Sequence, residues 1–279
     1  MRDRLYIGLK MKKLIRYIFW LLTLISFVYI TKEVINFSKD IISLREYQTE
    51  AAIKQQKMLH PAVRILNIQE NFEMYVPTGG YDTQSMTEVE FILSTASGFS
   101  IQYNPVDNIS FIITNDHFCS EIMPRSVLAI ENYKKTASNI SNDYIPSKVL
   151  YTDYELDLCL VAASGFIKPA IIADVDYQPE LFEKVFIVGG PTGNFPIIID
   201  TYISGTSDRT SIMLGGFSQY GNDFLLISEQ IFPGHSGSPV FNQEGEVIGI
   251  VFAALETYGG FAISHKDIFE LLYRYQNAP

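Results

Sequence analysis

The sequence predicts an all-β body of two packed six-stranded barrels with a C-terminal helix, preceded by a transmembrane helix and a helical stalk. Two observations support the all-β body. Short β-rich runs recur from residue 62 onward, and turn residues such as those at 79–80 and 221–222 separate them. Many short strands at this spacing, without alternating helices, are typical of a barrel or sandwich. A third observation, an apolar and then helix-patterned N-terminus, predicts the other two elements.

The body is expected to span residues 61–279, which suits one unit of two barrels. Hydrophobic residues make up 47% of the chain, so a sizeable core is expected and disorder is not. One helix is predicted near the end, at 266–275. The strands are predicted at 89–93, 109–114, 148–150, 156–161, 184–189, 195–204, 223–228 and 246–253.

The N-terminus is basic and then apolar. Residues 1–32 hold seven of the 21 Lys and Arg residues but one of the 31 Asp and Glu residues, and 15 uncharged residues lie between Arg16 and Lys32. Arg16 can extend its charge toward water, so a spanning segment is predicted over 14–31. Six cations, the last of them Arg16, precede the uncharged run. The positive-inside rule then predicts a cytoplasmic segment, 1–13, and an extracytoplasmic body, periplasmic or extracellular.

Two other interpretations of this segment are less favoured. A cleaved signal peptide needs small residues just after the apolar run, and FVYITKEVINF offers none in the right place. A buried soluble helix fits poorly, because the segment is apolar on all faces and flanked by Lys. We therefore expect an uncleaved membrane anchor.

A helical stalk is predicted over residues 32–60. Residues 33–59 contain no Gly or Pro, and Pro61 is expected to end the helix. A coiled coil joining protomers and a single helix remain equally open, because two glutamines place polar amides in the seam. The seam positions, spaced three and four apart, are Val34, Phe37, Ile41, Leu44, Gln48, Ala51, Gln55 and Met58.

The charge and the composition argue against nucleic-acid binding, a disulfide scaffold and a metal site. The net charge of −10 divides into +6 for residues 1–32 and −16 for the remainder, and an acidic body argues against nucleic acid as a partner. Two cysteines make neither a disulfide scaffold nor a four-thiolate zinc site. The four histidines lack the H-E-x-x-H spacing, so no metal or cofactor is expected.

Three stretches supply residues suited to nucleophilic catalysis. FIITNDHFC at 111–119 contains His117, YTDYELDLCLV at 151–161 contains Asp157, and FPGHSGSPVFNQEGEVIGIV at 232–251 contains Ser236. A serine hydroxyl needs a base within reach, and the base needs a buried carboxylate to orient it. Gly234 and Gly237 permit a tight turn around Ser236, which exposes the N–H groups of Gly234 and Ser236 to an oxyanion.

These residues carry a family resemblance. The order His, Asp, Ser is that of chymotrypsin, not of subtilisins or α/β-hydrolases. SGFSI followed by ITNDHF, ELDLCLV, KVFIVGGPTGNF, YISGTSD, FPGHSGSPVFNQEGEVIGI and GGFAISHKDIFELL occur in collinear order over roughly 85–275. In this the chain resembles trypsin-like serine proteases, and within them the bacterial HtrA (Do-type) branch. GSPVFN and EVIGI are also similar to the glutamyl endopeptidases of that fold.

The resemblance implies a chymotrypsin-like fold and a His117-Asp157-Ser236 triad, with Asp153 as the substitute for Asp157. The chain departs from the family pattern at His235, where the HtrA branch has Asn, and at Ser238, where Gly is usual. His235 is interpreted as a loop-packing residue. HtrA proteases usually carry a PDZ domain after the protease, and none is expected in this sequence.

Cys119 and Cys159 each follow a predicted triad residue by two positions. Triad geometry brings such positions near each other, and an exported location permits a disulfide. Two buried thiols are nevertheless favoured, because the separation of the Cα atoms cannot be obtained from sequence.

The resemblance also locates a substrate pocket. Its floor lies six residues before the nucleophile, at Gln230, and its wall is the strand containing Val251, Phe252 and Ala253. Enzymes that cut after Lys or Arg need a carboxylate at the floor, because a desolvated cation requires a partner. A neutral floor and an apolar wall predict cleavage after uncharged, small to medium aliphatic residues.

Two function classes follow. The favoured one is a membrane-anchored serine endopeptidase that cleaves extracytoplasmic, unfolded polypeptides, and that forms a homo-oligomer if the stalk is a coiled coil. The alternative is a catalytically silent pseudoprotease that binds peptides as a scaffold. Esterase activity on the same triad is a third option, which the resemblance makes less favoured.

Overall fold

A computed structural model describes residues 2–77, 84–122, 126–132, 144–207, 224–255 and 259–278. The chain divides into two compact units, Met1–Ile53 and Lys54–Pro279.

The N-terminal helix, α1, runs from Arg2 to Leu59. It ends two residues before Pro61, as expected from the restricted backbone of a residue that precedes proline. Three predicted seam residues, Val34, Phe37 and Ile41, are exposed. Met58 is only 3% exposed and packs in the core of the body. Its assignment to a coiled-coil seam was therefore wrong.

The side chains of the predicted membrane segment, 14–31, are described only in part. Side chains at 14–22 and at residue 24 lie outside the described residues. Where side chains are described, no helix is both long enough and apolar enough to cross a bilayer.

The first barrel is closed by six strands in the order β1-β2-β3-β6-β5-β4. Its interior is lined by buried aliphatic side chains such as Ile65, Ile112, Ile130 and Val161. The strands are β1 (Ala62–Pro77), β2 (Gln84–Asn104), β3 (Ile109–Thr114), β4 (Ser126–Asn132), β5 (Ile145–Asp153) and β6 (Leu158–Ser164).

The second barrel follows the order β11-β8-β9-β10-β13-β12-β7, and β11 also pairs with β12. Six of these strands thus form a closed circuit, and β7 is added in parallel to β12. The strands are β7 (Ile171–Ile172), β8 (Lys184–Gly189), β9 (Ile197–Ser207), β10 (Phe224–Ile227), β11 (Pro239–Phe241), β12 (Glu246–Leu255) and β13 (Gly259–Ser264).

Two short helices complete the described body. Helix α2 (Asp116–Ser120) follows β3, and α3 (Lys266–Gln276) closes the chain. A shared apolar cluster joins the barrels, with Phe99 and Leu160 from the first and Phe241 and Ile250 from the second. The two-barrel architecture and the terminal helix are confirmed. Five strands, β1, β4, β7, β11 and β13, were not among the predicted ones, although β1 and β13 are largely buried where their side chains are described.

Candidate active site

His117 lies on the short helix that follows β3. Thr114 ends β3 and Asn115 follows it, and both residues are fully buried in the body. Asn115 Nδ2 donates a hydrogen bond of 3.0 Å to the backbone carbonyl of Asp157. The segment that carries His117 is thereby joined to the β5–β6 turn that carries Asp157.

His117 and Asp157 form a hydrogen-bonded pair. His117 Nδ1 lies 2.9 Å from Asp157 Oδ2 and 3.0 Å from Oδ1, and the His117 backbone N–H donates to Oδ1 at 2.9 Å. The His117 side chain is 38% exposed, whereas that of Asp157 is 7% exposed. An acceptor-only carboxylate at Nδ1 fixes the imidazole tautomer and leaves Nε2 to accept a proton.

The backbone at Asp157 is unusual. Its φ of 52° lies in the left-handed region, which Asp tolerates better than most residues. Such conformations cluster at functional sites, where surrounding contacts hold them. Here the carboxylate accepts from His117 and the carbonyl accepts from Asn115, so both ends of the residue are held.

The environment sets the basicity of His117. Burial lowers the pKa of the ring, but the hydrogen bond and the negative charge of Asp157 raise it by more, with smaller contributions from Glu121 and Asp116. The pKa of His117 therefore lies above its ordinary value. Burial also raises the pKa of the neighbouring Asp116 carboxyl, with Ser120 opposing that shift through a hydrogen bond.

Asp153, the substitute considered for Asp157, has another role. Its carboxylate accepts from the backbone N–H of Leu156 at 3.1 Å and lies 3.0 Å from Arg274 Nη1. Arg274 also contacts Glu155 and Glu270. Asp153 thus helps to dock α3 against the β5–β6 turn and makes no contact with His117.

Ser236 lies in the β10–β11 loop, where two glycines permit its turn. Gly234 and Gly237 have φ of 95° and 83°, a region that costs glycine little. A Cβ built on Gly234 would lie 2.4 Å from Gly190 O, and one on Gly237 would lie 2.0 Å from Ser97 O. Neither position accepts a side chain without backbone movement. Ser236 is half-buried.

The loop directs two N–H groups outward. Pro233 O accepts from Thr192 N at 2.8 Å, and His235 O accepts from Ser238 N at 2.8 Å. In a trans peptide the C=O and N–H groups point in opposite directions. Holding these carbonyls therefore directs the N–H groups of Gly234 and Ser236 the other way. Neither N–H has an acceptor among the described residues, so both can donate to an oxyanion.

The structure does not join Ser236 to His117. No hydrogen bond joins Ser236 to His117 among the described residues, whereas Ser236 O accepts from Ser97 N at 2.8 Å. Catalytic hydrogen bonds are often long before substrate binds.

The predicted pocket residues differ in their positions. Gln230 is exposed, whereas the next residue, Ile231, is 6% exposed. A Cβ built on Gly260 would lie 2.1 Å from Ile231 Cγ1, so Ile231 fills the space beside that glycine. Val251 is buried, and Phe252 and Ala253 are partly buried.

The chain matches a known protein family over the region of this site. The trypsin-like peptidase domain family matches residues 96–250, more than half of the chain, and that range contains His117, Asp157 and Ser236. This chain belongs to the trypsin-like peptidase domain family. The resemblance stated from the sequence is confirmed.

A curated relative is similar over part of this trypsin-like peptidase. It is described as a serine protease HtrA-like protein of Staphylococcus aureus strain USA300, and is 30% identical over 167 residues. The match covers 57% of this chain and 20% of that protein. The chain thus spans about a fifth of the length of the curated relatives it matches.

Two solved structures share the fold. The serine endoprotease from Yersinia pestis has a TM-score of 0.56 and 17% identity, with 81% of this chain and 66% of that chain covered. The inactive form of a serine-to-alanine mutant of Rv3671c from Mycobacterium tuberculosis H37Rv has a TM-score of 0.56 and 16% identity, covering 81% and 92%.

The two cysteines of this peptidase form a disulfide, Cys119–Cys159, with Cα atoms 6.5 Å apart. The expectation of two free thiols was therefore wrong. β3 and β6 pair with Thr114 opposite Cys159, and this register brings β6 beside the start of α2. The bridge joins the segment of His117 to the strand that follows Asp157.

His235 packs inside the β10–β11 loop, as predicted. It is fully buried, and its Nδ1 lies 3.1 Å from both the N–H and the C=O of Phe232. Burial lowers the pKa of His235, with a smaller opposing effect from the Phe232 backbone. Among the described residues no cluster of His, Cys, Asp and Glu is arranged to hold a metal ion.

Three residues of this site were missed from the sequence. Ser97 and Asn115 are buried polar side chains that position loops, and Ile231 is a buried apolar side chain beside Gly260. The signal for Ser97 was weak, because a serine before glycine in a β-rich run is common. Asn115 lies within the ITNDHF motif, but nothing in the motif identifies its partner.

Proposed function

We propose that this chain is a serine endopeptidase, with Ser236 as nucleophile, His117 as general base and Asp157 as the residue that orients His117. The observation that carries the proposal is the buried Asp157 carboxylate 2.9 Å from Nδ1 of a half-exposed His117. Membership of the trypsin-like peptidase family supports it. No metal or cofactor enters the reaction.

The chemistry proceeds in two stages. Ser236 Oγ attacks the scissile carbonyl and its proton passes to His117 Nε2, while the oxyanion accepts hydrogen bonds from Gly234 N and Ser236 N. The C–N bond breaks as His117 returns that proton to the leaving amine. A water molecule then attacks the acyl-enzyme with His117 as base, and Ser236 is released.

We propose extended polypeptides as substrates. Val251 is bonded on the other side to Gly237 and Ser238, but beyond it β12 pairs with β13 alone among the described strands. Phe252 and Ala253 therefore lie where a substrate backbone can pair with the strand. Ile231 is apolar and buried beside Gly260, so it offers no partner for a charged substrate side chain. Cleavage after small to medium aliphatic residues is expected.

Anchoring remains a proposal from the sequence. We propose that residues 14–31 span a membrane, that 1–13 are cytoplasmic and that 61–279 are extracytoplasmic, because cations are concentrated before the apolar run. Protease added to intact spheroplasts should then digest the body and spare residues 1–13. Protection of the body until the membrane is broken would contradict this topology.

Oligomerisation through residues 32–60 is proposed as well. Val34, Phe37 and Ile41 are 57%, 66% and 39% exposed on a helix, and a second copy would cover them. Light scattering on the detergent-solubilised full chain should show a larger mass for the parent than for a Phe37→Glu variant. Equal masses would contradict a stalk-driven oligomer.

A pseudoprotease is the second candidate, favoured by one observation. Ser236 makes no hydrogen bond to His117 among the described residues. The two functions differ in turnover, because a scaffold binds peptides without cleaving them.

The test compares Ser236→Ala with Ser228→Ala in the full chain. Ser228 is an exposed serine in the same loop, bonded to Tyr202 O. Loss of the nucleophile should reduce kcat on unfolded casein by several orders of magnitude, whereas Ser228→Ala should keep it. A parent that binds casein without cleaving it would favour the scaffold, and cleavage by Ser236→Ala at the parent rate would exclude Ser236 as nucleophile.

A further inference from the structure

Ser97 lies at the junction of three segments. It is fully buried in β2, and every polar group it offers is used. Its backbone N–H donates to Ser236 O at 2.8 Å and its hydroxyl donates to Gly234 O at 2.7 Å. The same hydroxyl accepts from Gly190 N at 2.9 Å, and Ser97 O accepts from Thr114 Oγ1 at 2.7 Å.

One hydroxyl therefore fixes two loops at once. Gly190 begins the loop at 190–194. Gly234 belongs to the β10–β11 loop that carries Ser236, called here the nucleophile loop. The loops also touch directly, because Thr192 N donates to Pro233 O at 2.8 Å. That hydrogen bond holds the Pro233 carbonyl, and hence directs the Gly234 N–H proposed for the oxyanion.

The far end of the 190–194 loop has an anchor of its own. Arg64 Nη1, from β1, donates to the carbonyl of Gly193, and the same guanidinium pairs with Glu131. The loop is thus held at Gly193 by Arg64 and at Gly190 by Ser97, with Thr192 between them. Removing either anchor frees the segment that orients the Pro233–Gly234 peptide.

We propose that Ser97 is a positioning residue for the oxyanion hole, acting through the Gly234 carbonyl and the 190–194 loop. This inference rests on the proposed function of the same site. The Ser97 hydroxyl bonds to Gly234 O and Gly190 N, so the side chain acts on the half of the site that contains Ser236. Its role is to hold the oxyanion donors in place before substrate arrives.

Ser97→Ala separates the side chain from the backbone. The hydrogen bond from Ser97 N to Ser236 O survives, while Gly190 N–H and Gly234 C=O lose their partner in a dry interior. A buried polar group left unpaired is costly, so the loops are expected to move to satisfy these groups. Movement of the Pro233–Gly234 peptide withdraws a donor from the oxyanion.

The chain contains a matched control for this substitution. Ser110 is also fully buried in the first barrel, its hydroxyl donates to Gly165 O at 2.8 Å, and it accepts from Ile167 N at 2.9 Å. Ser110→Ala therefore removes the same pair of hydrogen bonds between the same kinds of groups. It has no connection to the nucleophile loop.

The experiment measures kcat, KM, the pH midpoint and Tm for the full-length parent, Ser97→Ala and Ser110→Ala on a peptide that the parent cleaves. Both variants should lower Tm by similar amounts. Ser97→Ala alone should lower kcat, by about tenfold or more but by less than the ~10²–10³-fold cost of deleting an oxyanion donor. KM and the pH midpoint, which reports His117, should stay at the parent values.

Every outcome of this experiment either supports the positioning role of Ser97 or overturns it. A Ser97→Ala variant with kcat within twofold of the parent, or an equal kcat loss in Ser110→Ala, overturns the positioning role and leaves the proposed function intact. An inactive parent overturns the proposed function and this role with it. If the alanine variant does not fold, Ser97→Cys fills the same space with a weaker donor. It should also lose kcat, and a parent-like kcat in that variant overturns the proposal.

Discussion

His117 and Asp157 belong to the first barrel and are fixed by side-chain contacts, whereas Ser236 belongs to the second barrel and is fixed almost entirely by backbone. In the His117–Asp157 pair the carboxylate accepts two hydrogen bonds from His117, the Asn115 amide donates to the Asp157 carbonyl, and the disulfide lies beside the pair. The nucleophile loop has two left-handed glycines and carbonyls held by neighbouring N–H groups.

The two halves of the site should therefore lose activity in different ways when they are mutated. Side-chain contacts can be removed singly, with the backbone left in place, so changes in the first barrel should impair proton transfer and leave binding intact. Backbone positions respond to any group that adds bulk or leaves a carbonyl unpaired. Changes near Ser236 should therefore displace the oxyanion donors. Ser97 crosses between the halves, because it lies in the first barrel and holds the loop of the second.

Asp157→Asn should have the largest effect on the first half. An amide keeps the size of the side chain but no longer selects the productive tautomer of His117, and in a homologous fold such a change costs about 10⁴-fold in kcat. The carboxylate also raises the pKa of His117, so the midpoint of residual activity should move to lower pH. Measured pH–rate profiles of both proteins check this. An unchanged midpoint would show that Asp157 does not set the basicity of His117.

Gly234→Ala should break the second half. The added Cβ meets Gly190 O at 2.4 Å and the residue keeps a φ of 95°, so the loop must move and an oxyanion donor is lost, at a cost of about 10²–10³-fold in kcat. Gly165→Ala is the control, because its φ is 87° with nothing within 4 Å of the built Cβ. Gly165→Ala should lower stability by the backbone strain alone and keep kcat. Equal kcat values in the two variants would contradict the crowding explanation.

Removing the disulfide should weaken the first half. The double variant Cys119→Ala with Cys159→Ala opens a bridge of sequence separation 40, and such a loss typically costs about 2–4 kcal/mol of unfolding free energy. Denaturant titration of parent and variant measures it. A reducing agent should lower the stability of the parent and leave the double variant unchanged. A parent unaffected by reduction under denaturing conditions would show that no bridge forms.

Acid should destabilise the second half through His235. Its folded pKa lies below its ordinary value because the ring is buried, so the unfolded chain binds more protons and stability falls as pH drops below the ordinary pKa of histidine. The slope from one proton is at most about 1.4 kcal/mol per pH unit. His117 acts with the opposite sign: its raised pKa stabilises the fold at low pH, and that contribution is lost as pH rises through the folded pKa. His235→Asn should flatten the acid limb in thermal melts, and an unchanged limb would exclude His235 as its source.

Substitution at Gln230 should have the smallest effect. Its side chain is exposed, so Gln230→Ala should change kcat/KM by less than about twofold, as surface changes usually do. Ile231→Ala should instead open space beside Gly260 and extend cleavage to larger residues. A peptide-library digest read by mass spectrometry compares the two. A stronger shift in specificity from Gln230→Ala would instead support Gln230 as the floor of the pocket.

Much of the fold could be predicted from the sequence because its signals are local. Strand-forming runs and turn residues identify barrels, and the His, Asp, Ser order with its flanking motifs selects one family among several that use the same residues. What was missed depends on separations in space. The Cα distance that permits the Cys119–Cys159 bridge, the burial of Met58 in the body and the orientation of Ile231 all depend on packing between distant segments.

Ser97 illustrates the same limit. Its four hydrogen bonds join residues from 114 to 236, and no short motif encodes such a set. Asp153 and Asp157 are close in sequence, four residues apart in one turn, yet their carboxylates have different partners. Only the placement of Arg274 on a distant helix separates the docking residue from the partner of His117.

The assignment of Ser236 as the nucleophile is tested most directly by a fluorophosphonate probe, which phosphonylates an activated serine. The full-length parent, Asp157→Asn and Ser236→Ala are treated in parallel, and the adduct is located by peptide mass spectrometry. The parent should carry the adduct on Ser236, Asp157→Asn should react far more slowly, and Ser236→Ala should carry none. A parent that cleaves casein while Ser236 stays unlabelled, or an adduct on another serine, would contradict the assignment.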